Sequence, residues 1–188
     1  MKNRFRFKLR TVLRGGGGAL VVLLALFPLG CKRANSPVPV EQTQEEAPQL
    51  ASTVHMSDPK MESQLLVGFY GIEQNSWRWT AKQFSVVLHP PFGSGQNGAT
   101  LQLDLSVPDV VINKLHTVSL AASVSGNPLP PETYTRPGDY TYKRDVPANL
   151  LSGDTVRVDF QLDKAMPPAG QDMRELGIVV KSVGLEPK

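Results

Sequence analysis

Three runs of strict two-residue alternation constrain this chain more than any other feature. Leu101, Leu103, Leu105 and Val107 alternate with Gln102, Asp104 and Ser106. Val118, Leu120, Ala122 and Val124 alternate with Ser119, Ala121 and Ser123, and Val156, Val158, Phe160 and Leu162 alternate with Arg157, Asp159 and Gln161. Successive strand side chains point to opposite faces, so each run predicts a strand with one apolar and one wetted face. Such strands belong to antiparallel sheets packed on one side. On that apolar face Leu103, Leu120, Val158 and Phe160 are expected to be buried. Further strands are expected over 65–73, 77–80, 84–89, 140–146 and 177–185. In the last of these the apolar phase slips near Lys181 and Ser182, which implies a bulge or fuller burial. Turn chemistry separates the runs at Pro90-Pro91, Gly126-Asn127-Pro128, Arg136-Pro137-Gly138 and Ser152-Gly153-Asp154. No segment of 64–188 shows a helical stripe. About eight short strands with such turns predict a single antiparallel β-sandwich, jelly-roll or galactose-binding-like. The missing cysteine pair disfavours the antibody type of immunoglobulin domain.

The lone cysteine, Cys31, divides the rest of the chain. Ahead of it lie six basic residues (Lys2, Arg4, Arg6, Lys8, Arg10 and Arg14), no acidic one, and a short apolar run ending in Gly30. This arrangement marks a secretory signal. With cysteine after the small residue it resembles the bacterial lipoprotein signal, in which the thiol receives a diacylglycerol. Gly30 and Leu29 suit that pattern, and Pro28 departs from it. An uncleaved anchor is the rival, but residues 19–30 span roughly 18 Å as a helix, against the roughly 30 Å of a bilayer core. Segment 1–30 is therefore expected to be a lipoprotein-type signal, and Cys31 the lipidated residue. By the same resemblance Lys32, standing where aspartate is associated with inner-membrane retention, favours the outer membrane. Residues 31–63, punctuated by Pro37, Pro39, Pro48 and Pro59 and rich in Gln, Glu and Ser, read as a flexible, disordered tether. The sandwich is expected over 64–188.

Removing the signal changes the meaning of the charge. Taking those six from the 20 Lys and Arg leaves 14 basic against 17 acidic side chains, a net charge of −3. The pI of about 9.1 thus belongs to the targeting head. Without a basic cluster on the folded part, no nucleic-acid partner is expected.

Motifs that resemble catalytic machinery dissolve in context. Gly93-Ser94-Gly95-Gln96-Asn97-Gly98 matches the dinucleotide fingerprint in its letters. A strand follows where the fingerprint needs a helix, so these glycines are expected to form a flexible hairpin loop and no cofactor is expected. Ser94 lacks the glycine two residues earlier that a nucleophile elbow requires. His55, His89 and His116 are too scattered for metal ligation. Asp139, Asp154 and Asp172 lie in loops but lack calcium-loop spacing. No catalytic residue and no metal site is expected.

Aromatic residues remain as ligand candidates. Trp77 and Trp79 share one face of a strand, with Arg78 and Thr80 on the other; exposed, they would form a stacking platform for sugar rings, although burial in the core is the more ordinary fate of tryptophan. Tyr140 and Tyr142 are paired by the same alternation, with Tyr134 in the preceding loop. Arg136 and Asp139 would supply polar groups beside them. Here too the plainer expectation is that the tyrosines pack on a neighbouring strand. In Asp172-Met173-Arg174-Glu175-Leu176-Gly177, Arg174 and Glu175 offer ligand contacts, and the plainer expectation is that Arg174 pairs with a carboxylate and clamps its loop.

Three landmarks together suggest a family. Gly-Phe-Tyr-Gly-Ile-Glu at 68–73, Trp-Arg-Trp-Thr at 77–80 and Arg-Glu-Leu-Gly at 174–177 resemble a bacterial β-sandwich module fused to glycosyltransferases of cell-surface polysaccharide assembly, also found alone behind export signals. The resemblance runs over 66–185 and includes Val146-Pro147 and the stretch 162–168. It implies a carbohydrate-binding-like sandwich without established chemistry. The expected function is a non-catalytic cell-envelope protein, held to a membrane through its lipid, that binds glycan in the periplasm or at the surface. The alternatives are a module that holds an envelope protein partner, and a glycan hydrolase.

Overall fold

The computed structural model describes residues 49–188. Cys31 and the signal segment lie outside that range. Nine strands, all paired antiparallel, build the predicted all-β sandwich. They are β1 (Thr53–His55), β2 (Leu65–Glu73), β3 (Trp77–Leu88), β4 (Ala99–Val107), β5 (Val118–Val124), β6 (Asn127–Tyr134), β7 (Gly138–Val146), β8 (Val156–Leu162) and β9 (Val179–Pro187). The hydrogen-bonded order is β6-β5-β8-β3-β9-β4-β7, with β1 beside β9 and β2 beside β3. The three alternating runs become β4, β5 and β8. Their apolar positions, Leu103, Leu120, Val158 and Phe160 among them, meet in one core.

One strand serves both layers. The expected strands 77–80 and 84–89 are a single β3, which pairs with β9 at Arg78 and Trp79 and with β8 from Gln83 to Leu88. Between these stretches the Lys82 amide donates to Glu175 Oε1 at 2.9 Å, which gives that donor a partner where the layers part. At the far ends of the path, β6 and β7 are joined by side chains. The prolines of β6 (Pro128, Pro130 and Pro131) are tolerated because β6 pairs with β5 alone. The Pro130 carbonyl accepts from Tyr142 Oη at 2.9 Å and Arg144 Nε at 2.7 Å, both from β7.

Several expectations are corrected. Part of the expected tether belongs to the sandwich: Thr53–His55 pairs with β9, Val54 and Met56 are buried, and Gln64 bonds Ala51 and the Val87 carbonyl. The glycine-rich segment is not a hairpin loop. It forms one helical turn, α1 (Ser94–Asn97), between Gly93 and Gly98, and the flanking strands β3 and β4 do not pair with each other. Pro108 caps a second helix, α2 (Asp109–Leu115). It buries only Val111, too little for a stripe to show in the sequence. Tyr134, expected in a loop, is the last residue of the edge strand β6.

Candidate functional site

The three family-like landmarks converge in space. Arg174 binds Asp172 and reaches Glu73 at 2.8 Å, and its guanidinium lies 5.2 Å from the Tyr70 ring centre. Tyr70 Oη donates to the Glu175 carbonyl, and the Gly177 amide donates to the Thr80 carbonyl. Gly177 has no room for a side chain: a Cβ there would lie 2.8 Å from Thr80 Oγ1 and 2.9 Å from the Ala81 carbonyl. These residues therefore fasten the loop before β9 onto β2 and β3. The salt links to Arg174 hold the Asp172 carboxyl down at about 2.

The landmark Trp77-Arg78-Trp79-Thr80 has its faces set by its polar members. Arg78 is 3% exposed; its Nε donates to the Met56 carbonyl, its Nη1 to the Tyr70 carbonyl, and its Nη2 reaches the exposed Glu62. Thr80 is buried too, with its hydroxyl against the amide and carbonyl of Ile178. These two side chains hold strand edges together from inside, so both indoles are turned to the outer face. Neither indole is fully buried: both are half-buried, edge to face, with ring centres 6.2 Å apart, and Trp79 packs against the core cluster.

The indoles border a depression of about 510 Å³ that continues over Val179 and Lys181 of β9 to Ser106 of β4 and Asp139 of β7. Asp139 and Lys181 are shared with an adjoining depression of about 330 Å³ that extends to Asp104, Tyr140 and Thr141. Together they form an open groove across four strands. A bulge places its lysine. Val180 and Ser182 pair with the consecutive residues Leu105 and Asp104, which leaves Lys181 as the extra residue, where the phase slip was expected. Its ammonium crosses to Asp139 at 2.8 Å. That contact, aided by the Ser106 hydroxyl, lowers the Asp139 pKa. Burial pushes the Asp104 carboxyl up, but hydrogen bonds from Ser182, Thr141 and Gln102 outweigh it and leave the pKa lowered. Both carboxylates are thus held ionised, as acceptors.

The structure gathers only some of the expected ligand residues here. Trp77, Trp79 and Asp139 line the groove, and Tyr140 flanks it with its hydroxyl on the Arg136 carbonyl at 2.9 Å. Arg136 is an exposed turn residue. Tyr142 and Tyr134, which the ligand reading needs at the surface, are 0% and 2% exposed. They belong to the seam between β6 and β7: Tyr134 packs on Tyr140 with ring centres 4.7 Å apart, and Arg144 lies over the Tyr142 ring. Burial raises both phenolic pKa values. The plainer reading of the tyrosines is the one the structure shows. Sequence reasoning missed Lys181, Ser106, Asp104 and Thr141 as neighbours of the indoles, because strand order and register bring them there. Of the aspartates expected in loops, Asp139 lies instead in β7; it is paired with Lys181 and Asp172 with Arg174, and no three metal-binding side chains cluster among the described residues.

No known family model matches the sequence, and no curated protein sequence is similar to it. Solved structures with a similar layout include the CBM36-1 domain of a multidomain xylanase from the hindgut metagenome of Trinervitermes trinervoides, at TM-score 0.40 and 12% identity over 72% of this chain and 96% of that one. The carbohydrate-binding module TmCBM27, described for mannan recognition, gives 0.38 and 12% over 74% and 98%. An exo-beta-1,3-galactanase from Phanerochaete chrysosporium gives 0.36 and 11%, covering 72% of this chain and 29% of that one. Fold and groove define a class: an all-β sandwich with an aromatic-edged polar groove on its outer surface.

Proposed function

We propose that this protein is a lipid-anchored cell-envelope protein whose sandwich binds glycan, without catalysis, in the groove between Trp77 and Thr141. The carrying observation is the half-buried indole pair at the edge of a row of side chains that can bond hydroxyl groups. An indole offers a sugar ring an apolar face, while Asp104, Asp139, Lys181 and Ser106 fix its hydroxyls; sites of this kind combine apolar walls with a few polar groups. The groove's two carboxylates are both held below their ordinary range, whereas a glycosidase acid needs one raised. The absence of such a raised acid in this groove is what favours binding over hydrolysis there.

A glycan array probed with the full chain and with Trp77→Ala tests this. Signals on particular glycans that drop in the variant are expected; equal signals from both, or none, overturn the groove. Anchoring rests on the Gly30-Cys31 junction. Metabolic labelling with a fatty-acid analogue should mark the wild type and leave Cys31→Ser unmarked. The outer membrane, with the sandwich in the periplasm or at the surface, is the location we assign. A protein partner is the second reading, favoured by Leu66 and Val67, which are 42% and 55% exposed on β2. Leu66→Asp should leave the array unchanged if glycan is the ligand.

A further inference from the structure

A separate trough lies on the outer side of β3, β8 and β5, and it shares no lining residue with the tryptophan groove. Strand register builds it from two rows. Ser85, Asp159 and Ser123 stand side by side across the three strands, and beside them Gln83, Gln161 and Ala121 do the same. Outward side chains in register on neighbouring strands lie close enough to contact one ligand together. Small residues (Ser85, Ser123 and Ala121) leave a depression of about 370 Å³ that the longer carboxamides flank.

Two observations give the trough a ligand chemistry. The Ser85 hydroxyl is buried and has no hydrogen-bond partner within the protein, although it lines the depression. A buried polar group without a partner is a cost that folding alone does not explain. In addition, none of the three strands is a sheet edge: β3 lies between β2 and β8, β8 between β3 and β5, and β5 between β8 and β6. A peptide therefore cannot dock as an added strand, and recognition falls to side chains. The polar side chains of the trough are two carboxamides and two hydroxyls, with one carboxylate whose charge is met by Arg157 at 2.7 Å, and Val67 and Pro128 add apolar surface beside them. Groups that both donate and accept, with no surplus charge, match the hydroxyls of a neutral sugar chain.

We propose that this trough is a second saccharide-binding face, taking an uncharged, hydroxyl-rich oligosaccharide through Gln83, Gln161, Ser85 and Ser123. It rests on the glycan reading for its ligand class but not for its residues. Two faces on one domain would raise the avidity for a polysaccharide without any new contact at either face.

Amide chemical-shift mapping of the full chain tests the proposal, with cellohexaose, mannohexaose and xylohexaose as neutral probes and hexagalacturonate as the charged comparison. Shifts at residues 83, 85, 121, 123 and 161 with a neutral hexasaccharide are expected. They should persist in Trp77→Ala with an affinity within about twofold of wild type, and weaken at least about fivefold in Gln83→Ala/Gln161→Ala, both exposed positions. Ser85→Ala should weaken binding while leaving the melting temperature unchanged or raised, a pairing that a structural role for this hydroxyl would not produce. Shifts at the trough but none at the tryptophans would leave this proposal standing and remove the groove reading. Shifts at the tryptophans alone, a stronger response to hexagalacturonate, or no response to any probe would overturn it.

Discussion

Trp77-Arg78-Trp79 and Tyr140-Thr141-Tyr142 carry the same pattern, two aromatics flanking a polar residue, and the fold turns them in opposite directions. In β3 the polar residue goes in and the rings go out, because Arg78 finds two carbonyls inside. In β7 the polar residue goes out and the rings go in, because the Pro130 carbonyl, on the outer edge of β6, accepts the Tyr142 hydroxyl. Alternation therefore pairs residues on a face without saying which face is buried. The choice falls to whichever partner groups the neighbouring strands leave unsatisfied.

That contrast breaks first at Tyr142. Tyr142→Ala should destabilise by about 3–5 kcal/mol, the range for deleting a buried ring. Urea denaturation measures it, and a loss below about 1 kcal/mol would place the ring at the surface. Next is Arg78→Leu, which keeps the volume but strands the Met56 and Tyr70 carbonyls. A loss of about 1–3 kcal/mol is expected, against under about 1 kcal/mol for Glu62→Gln, whose carboxylate is exposed. If the two variants lose equally, the ion pair rather than the carbonyl contacts holds the strand. Trp77→Ala should cost little stability and lower glycan affinity about tenfold, or about 1.4 kcal/mol, by titration calorimetry. A large stability loss with unchanged affinity would make the indoles core residues after all.

The smallest effect concerns pH. The Asp172 pKa falls from 3.8 to about 2 on folding, through the Arg174 side chain first and its backbone amide second. A depressed carboxylate adds stability above its unfolded pKa and loses it as pH falls through the folded one. Melting temperature should therefore decline between pH of about 4 and about 2, and Asp172→Asn should flatten part of that decline. Equal slopes in both proteins would mean that the clamp adds nothing.

Much of the fold was legible in the sequence, and the site much less so. β4, β5 and β8 announce themselves because each has one buried and one wetted face. The bulge at Lys181 shows as a slip in that same rhythm, and the Arg174 clamp was legible because a charge in a loop calls for a partner. β1 and β6 were not visible. β1 is three residues long, and the prolines of β6 mimic a loop unless the strand is known to lie at an edge. The groove was half legible, since the indoles are local while Lys181, Ser106 and Asp139 reach them across strands distant in sequence.

The sequence by itself determined β4, β5 and β8 and which of their residues share a face, because alternation is a local property that burial writes into every second residue. Only the tertiary structure decided which strands became neighbours and in what register. Those are settled by pairing and packing energies summed over the whole sheet, and they alone bring Trp79, Lys181 and Asp139 to a single groove.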